Sequence, residues 1–129
     1  MDNILYHRMF PNFRPEEFAC PCKHPMCQVD GMQFPFLFAI QDLRNQVEFP
    51  LPINSGYRCS TFNAVLKGAV PNSNHIKGIA CDIGIHKMTS QQKHLLLEKA
   101  FNRFTGIGIY KNFIHLDTRP ARFRSLWIA

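Results

Sequence analysis

At 129 residues, the chain is long enough to bury a core but too short for two ordinary domains, so we expect a single domain spanning residues 1 to 129. Hydrophobic residues make up 46% of it and charged residues 19%, which excludes a disordered chain, and no apolar run reaches the roughly 18 residues that a membrane span needs. The net charge of +6 favours an anionic partner, such as nucleic acid, an anionic cell envelope or a substrate carboxylate, without choosing among them.

The first part of the chain, residues 1 to 32, is rich in proline and ends near a glycine. Because these residues interrupt regular structure, we predict that the segment is irregular and wraps around the rest of the domain. The N-terminus shows no basic head followed by a long apolar stretch. We therefore expect a protein without a secretory signal.

Five cysteines are present, and three of them, Cys20, Cys22 and Cys27, crowd into the sequence CPCKHPMC with His24 between them. Together with Cys59 they offer four ligands for a structural zinc ion, although zinc ribbons usually contain two C-x2-C pairs and the second pair is absent. The odd number of cysteines and the lack of a signal favour reduced thiols. One disulfide bridge involving Cys59 remains an alternative.

Two amphipathic helices are predicted. In the first, apolar residues recur at steps of three and four from Phe34 onward, and Pro50 and Pro52 follow its end. Its apolar positions are Leu37, Ile40, Leu43 and Val47. In the second, Thr89 and Gln92 have the spacing of a capping box, and an apolar face follows them.

Three short strands are predicted at residues 79 to 85, 106 to 110 and 113 to 118, the last two joined by a Lys-Asn turn. Helices and strands in this order indicate a small α+β domain, an antiparallel sheet with flanking helices. In the first strand, Cys81 and the isoleucines point to one face, while Ala80, Asp82 and Gly84 point to the other. We predict that Cys81 packs as a small buried apolar residue.

Ionisable side chains share the second face of two of these strands. A buried carboxylate such as Asp82 needs a cationic partner or a metal ion, and the small residues beside it leave space. On the later strand His115 and Asp117 point the same way. With His75, which a loop rich in glycine, proline and asparagine presents, Asp82 and His115 offer three zinc ligands and leave the fourth position for a water whose pKa falls to roughly 7.

Three segments in the same order, SGYRC, SNHIKGIACDI and GIGIYKNFIHLDTR, resemble the peptidase M15 family. The likeness runs from about residue 18 to residue 127, and the start EEFACPC is similar to that of short M15 members from phage and microvirus genomes. The resemblance implies a zinc D-alanyl-D-alanine carboxypeptidase or peptidoglycan endopeptidase, with a fold shared with the hedgehog signalling domain. It also implies that His75, Asp82 and His115 are the zinc ligands.

The resemblance assigns two residues to the substrate. Arg58 matches an arginine that holds a terminal carboxylate or polarises the scissile carbonyl, for which a guanidinium is suited. The alternative is an ion pair with Asp82 or Asp117. Ser73 matches a serine that contacts substrate in relatives, and the alternative is a hydrogen bond to its own loop backbone.

The general base is where the sequence departs from some relatives. These have an acid three residues before the last zinc ligand, where this chain has Asn112. Only Glu98 and Asp117 follow Asp82, and Glu98 falls in the middle of a predicted helix. Asp117 is therefore the candidate base, in which case Asp117→Asn keeps zinc and loses activity. The alternative role for Asp117 is to orient a ligand histidine.

These observations predict a zinc-dependent peptidase that hydrolyses a bond in peptidoglycan stem peptides, a phage lysis or wall-degrading enzyme. We expect a monomer that is made in the host cytoplasm and acts at the bacterial cell wall. One alternative is an inactive, zinc-containing module that binds cell-wall peptides. Another is a basic nucleic-acid binder built on CPCKHPMC, which the lack of a basic helix disfavours.

Overall fold

The structure is a computed structural model that describes residues 2–22, 27 and 31–129, so His24 lies outside the described residues. The helices are α1 (Asn3–Met9), α2 (Pro15–Phe18), α3 (Phe34–Val47), α4 (Ser60–Val65) and α5 (Ser90–Phe101). The strands are β1 (Ile53–Ser55), β2 (Ala80–Gly84), β3 (Gly106–Ile109), β4 (Phe113–Asp117) and β5 (Ser125–Ile128), and a 3-10 turn, Ala121–Phe123, precedes β5. Helices beside one sheet give an α+β fold, which confirms the predicted fold class.

The prediction that residues 1 to 32 are irregular is wrong where α1 and α2 lie. Asp2 begins α1, because its side chain accepts a 2.8 Å hydrogen bond from the Leu5 backbone. Pro15 occupies the first turn of α2, where backbone N–H groups have no partner within the helix, so the N–H that proline lacks costs no helical hydrogen bond. The segment also joins the core through three buried phenylalanines: Phe10, Phe13 and Phe18.

The two predicted helices are confirmed as α3 and α5. Helix α3 buries the predicted apolar positions, and Glu48, which caps its C-terminal end, adopts a left-handed conformation. Helix α5 begins with the predicted capping box, in which the Thr89 hydroxyl accepts from the Gln92 backbone and the Gln92 side chain accepts from the Thr89 backbone. In the described part of the chain, no helix is long and apolar enough to cross a membrane.

The five strands form one sheet in the order β1-β2-β4-β3-β5. Three neighbouring pairs are antiparallel as predicted, whereas β5 runs parallel to β3, so the sheet is mixed. After β4 the chain reverses direction through the turn Ala121–Phe123 and pairs with the far edge of β3. Because β3 itself runs opposite to β4, the returning strand lies parallel to it.

The two faces of the sheet differ, as the alternation along β2 predicts. Cys81 and Ile83 are fully buried in a core that includes residues of α3 and α5. The opposite face combines small and polar residues. A Cβ atom on Gly106 would overlap the Asp117 carboxylate, and one on Gly108 would overlap the Trp127 ring. These glycines therefore leave the space in which the polar side chains of this face are packed.

Candidate metal centre

Three side chains that the sequence analysis selected lie together on the polar face of the sheet. Asp82 of β2 is the cross-strand neighbour of His115 of β4, and His75 comes from the loop before β2. His115 Nδ1 lies 3.1 Å, and His75 Nε2 3.3 Å, from Asp82 Oδ1. The three ligand atoms all lie within 4.8 Å of one another, a spacing that one ion can bridge. We call His75, Asp82 and His115 the candidate metal centre.

The loop that carries His75 is held by hydrogen bonds within the loop and to the connection between β1 and α4. Ser73 is buried, and its Oγ accepts a 3.1 Å hydrogen bond from the His75 backbone N–H, so the predicted alternative for Ser73, a hydrogen bond to its own loop backbone, is present. The His75 carbonyl accepts from the backbone N–H groups of Arg58, at 3.2 Å, and Gly78, at 3.3 Å. The position of His75 therefore depends on the chain around Arg58.

Each imidazole has one nitrogen bonded to the protein and the other directed at Asp82. His75 Nδ1 lies 2.7 Å from the carbonyl oxygen of Gly56, which can only accept, so Nδ1 carries the proton and Nε2 is the nitrogen available to a metal. His115 Nε2 lies 2.7 Å from Asp117 Oδ2 and donates to it, which leaves Nδ1 for the metal. Contacts of this kind set the tautomer of metal-binding histidines.

Asp117 is completely buried, and both of its oxygens accept hydrogen bonds. Arg119 donates from Nε to Oδ1 at 2.8 Å and from Nη2 to Oδ2 at 2.7 Å, and its backbone N–H donates to Oδ1 at 3.1 Å. Asn74 Nδ2 donates to Oδ2 at 3.2 Å, beside the contact from His115. Burial acts against ionisation, but the hydrogen bonds from Arg119 and His115 outweigh it and hold the pKa of Asp117 well below its usual range.

The electrostatics of the centre favour an ionised Asp82. Burial opposes its charge, yet the contacts with His115 and His75 outweigh burial and lower the pKa of Asp82 to about 2. Burial likewise acts to lower the pKa of His115, but its contacts with Asp117 and Asp82 raise it. Arg58 Nη2 lies 3.4 Å from Asp82 Oδ2, so the predicted alternative for Arg58, an ion pair with Asp82, is present in the structure.

Comparison with known proteins agrees with this arrangement. The family model described as Peptidase M15 matches residues 11–117, which is most of the chain. The matched range includes all three residues of the candidate metal centre. The chain belongs to the peptidase M15 family. The predicted resemblance is thereby confirmed, and membership makes the protein a metallopeptidase of a zinc-dependent family. No curated protein matches the chain.

The M15 site opens into a cleft of about 680 Å³, which Arg58, Ser73 and the candidate metal centre help to line. The lining also includes Tyr110 and Trp127, which the sequence motifs did not indicate, and the Trp127 ring lies 5.3 Å from that of His115. Trp127 Nε1 donates a 3.0 Å hydrogen bond to the Tyr110 hydroxyl, and the Arg119 guanidinium lies 5.3 Å from the centre of the Trp127 ring. The alternation of Ser125 and Trp127 with Leu126 and Ile128 is a strand signal that would have placed Trp127 on the cleft face.

A second group of metal-binding side chains lies elsewhere in the M15 chain. The sulfur atoms of Cys20, Cys22, Cys27 and Cys59 all lie within 4.8 Å of one another, and we call these four residues the cysteine cluster. All of them are free thiols in the structure, including the pair Cys22 and Cys59, whose sulfurs are 3.5 Å apart. Cys81 lies apart from the cluster, buried in the apolar core as predicted.

Proposed function

We propose that this M15 protein is a zinc peptidase that hydrolyses a peptide bond in the stem peptides of bacterial peptidoglycan, as a D-alanyl-D-alanine carboxypeptidase or an endopeptidase. The observation that carries the proposal is the convergence of His75, Asp82 and His115 at an open cleft in a chain of this family. The +6 charge of the chain suits an anionic wall polymer.

The donor set supports zinc as the metal. Two imidazoles and one carboxylate match the borderline preference of Zn²⁺ for nitrogen and oxygen ligands, and three protein ligands leave one tetrahedral position for solvent or substrate. The second nitrogen of each imidazole is already hydrogen-bonded, so both rings are oriented before an ion arrives. Zn²⁺ held there would polarise the scissile carbonyl and activate water for attack.

Arg58 is the proposed binding group for the substrate. Its Nε donates to Ser55 Oγ at 3.2 Å, and its Nη1 and Nη2 reach Asn63 Oδ1 and Asp82 Oδ2, each at 3.4 Å. These contacts use one N–H on each nitrogen, and a guanidinium carries five. Among the described residues, two N–H groups thus remain for a substrate carboxylate or for the oxygen that gains negative charge during attack.

We propose that Asp117 positions His115 and does not act as the general base. Asp117 contacts the Nε2 side of the ring, whereas Nδ1 is directed at Asp82. Both carboxylate oxygens are engaged, three of the contacts coming from Arg119, and a carboxylate whose pKa is held low accepts a proton poorly. In this role Asp117 fixes the tautomer of His115 and the direction of its free nitrogen.

The second candidate function is a module of the same fold that binds wall peptides without cleaving them. In the part of the chain that the structure describes, Asp82 is the only carboxylate in the lining of the cleft, and it is already a proposed ligand. Asn112, which replaces the acid of some relatives, is exposed, and its carbonyl accepts from the Ile85 backbone at 3.0 Å. A cleft with no second carboxylate favours this candidate.

Digestion of muropeptides distinguishes the two candidates. Zinc-loaded protein is incubated with purified muropeptides, and the products are weighed by mass spectrometry. We expect released D-alanine or a cut stem peptide from the wild type and from the exposed-histidine control His86→Ala. No product is expected from His75→Ala or His115→Ala. Zinc bound by His75, Asp82 and His115 without any product would reject the peptidase and leave the binding module, which would then remain attached to sedimented cell walls.

The biological setting that we propose is wall degradation during phage lysis. The support is the similarity of the EEFACPC start and of the three motif segments to short M15 members from phage genomes. Directing the protein to the periplasm of a Gram-negative host should lyse the cells, whereas His115→Ala should not. Intact cells that contain active enzyme would contradict a lytic role.

A further inference from the structure

The cysteine cluster has the geometry of a four-coordinate metal site. Its four sulfurs converge within 4.8 Å, although they come from two separate parts of the chain. Zinc bound by four thiolates at about 2.3 Å holds its sulfurs about 3.8 Å apart in a tetrahedron. The 3.5 Å between the sulfurs of Cys22 and Cys59 is close to this value. A disulfide joins only two sulfurs, so it would not require the convergence of all four.

Backbone N–H groups are directed at two of these sulfurs. The Cys59 N–H donates to Cys20 Sγ, and the Phe62 N–H donates to Cys59 Sγ, each at 3.4 Å. Donation to sulfur favours the thiolate form, which is the form that binds metals. Cys20 is buried and the other three cysteines are half-buried, so an ion at their centre would be largely shielded from water.

The position of the cluster connects it to the active-site side of the fold. Cys59 directly follows Arg58 and lies three residues after Gly56, whose carbonyl accepts from His75. The same connection already contacts the N-terminal segment, because the Tyr57 N–H donates to the Phe18 carbonyl at 2.8 Å. An ion bound by the cluster would therefore fasten the N-terminal segment to the chain that carries both Arg58 and the Gly56 carbonyl.

We propose that Cys20, Cys22, Cys27 and Cys59 bind a structural Zn²⁺ ion as a tetrathiolate site, separate from the candidate metal centre. The ion cross-links Cys20, Cys22 and Cys27 to the connection between β1 and α4, and so holds residues 56 to 59 in place. A domain of 129 residues with a short N-terminal helix gains stability from such a cross-link. The proposal does not depend on peptidase activity, because each metal site can be measured alone.

The test measures zinc content and the kind of ligand, without a substrate. Protein purified under reducing conditions with zinc should hold one ion per group of ligands, two per chain. The variant His75→Ala/His115→Ala should keep one, and after replacement by Co²⁺ it should show the near-ultraviolet band of thiolate-to-cobalt charge transfer. Titration with a mercurial should release that remaining zinc. This measurement needs no cysteine substitution, so it does not rely on a variant that fails to fold.

Cysteine variants supply the converse measurement. Cys22→Ser/Cys59→Ser should lose the charge-transfer band and one of the two zinc ions, and the remaining ion should be the one bound at the candidate metal centre. Cys81→Ala removes a thiol from the apolar core, outside the cluster, and should keep both ions and the band. It is the matched control for the loss of a cysteine.

Either of two results would overturn the proposal. In the first, the histidine double variant holds no zinc and shows no charge-transfer band under reducing conditions. In the second, the protein is denatured in acid without reductant so that zinc is released, and its intact mass is lower than that of the fully reduced chain by the two hydrogen atoms that a disulfide loses. A failure of the peptidase proposal looks different, since it removes muropeptide cleavage and leaves the thiolate band unchanged.

Discussion

Replacing Asp117 by asparagine separates the two roles considered for this residue. The substitution keeps the shape of the side chain and removes its charge. In the structure Asp117 is fully buried and accepts from His115, from Asn74 and three times from Arg119. An asparagine has only one oxygen, so its NH₂ group must replace either Oδ1, which accepts only from Arg119, or Oδ2, which accepts from His115, Asn74 and Arg119.

The expected magnitudes follow from these contacts. If the NH₂ group faces His115, the imidazole can accept from it at Nε2 only as the tautomer that carries its proton on Nδ1. Nδ1 is the nitrogen directed at Asp82, so that tautomer blocks the position of the metal. Loss of such an orienting contact typically weakens metal binding by about 10-fold to 100-fold. Breaking the buried pair with Arg119 should destabilise the metal-free fold by about 3 kcal/mol, or roughly 10 °C in Tm.

Two measurements on the same protein test this reasoning. Competition with a chromophoric chelator gives the zinc affinity of the candidate metal centre, and muropeptide cleavage at saturating zinc gives kcat. The matched control is Asp42→Asn, because Asp42 pairs with Arg103 at an exposed position where the loss should stay below about 1 kcal/mol and zinc affinity should not change. Loss of a general base is expected to lower kcat on the order of 1,000-fold. Such a loss in Asp117→Asn, with the zinc affinity unchanged, would refute the positioning role and restore Asp117 as the general base.

Three further predictions concern other parts of the structure. Arg58→Ala should lower kcat about 100-fold to 1,000-fold with zinc retained, and Arg58→Lys should recover part of it; full activity in Arg58→Ala would exclude a substrate role. Gly78 and Gly68 both have positive φ, but a Cβ on Gly78 would overlap the Gly31 carbonyl, whereas one on Gly68 meets nothing within 4 Å. In urea unfolding, Gly78→Ala should therefore lose at least about 1 kcal/mol more than Gly68→Ala, and equal losses would contradict the packing. In metal-free protein, the ionised Asp117 stabilises the fold above its ordinary pKa of 3.8, and this stabilisation is lost as pH falls below 3.8 towards the lowered folded-state pKa. The difference in Tm between wild type and Asp117→Asn should shrink over that range, and a constant difference would show that the charge of Asp117 does not matter.

Local patterns were sufficient for the elements that repeat a single period. The three- and four-residue steps after Phe34 predicted α3, and the Thr89 and Gln92 spacing predicted α5. Alternation placed Asp82 and His115 on the polar faces of β2 and β4. The same approach misses α1 and α2, because it treats prolines as breaks although Pro15 lies in the first turn of α2.

The chemistry of the metal ligands could be predicted from residue type and spacing, because imidazole and carboxylate groups keep their character wherever the chain places them. The surroundings of those ligands could not be predicted in this way, because the surroundings depend on contacts between distant segments. The Gly56 carbonyl reaches His75 across 19 positions, and Asn74 reaches Asp117 across 43. The tertiary structure added Asn74 to the donors around Asp117, and it brought the sulfur of Cys59 to those of the three N-terminal cysteines. Sequence thus determined which groups are available for chemistry, and folding decided which of them face the metal and which hold the others in place.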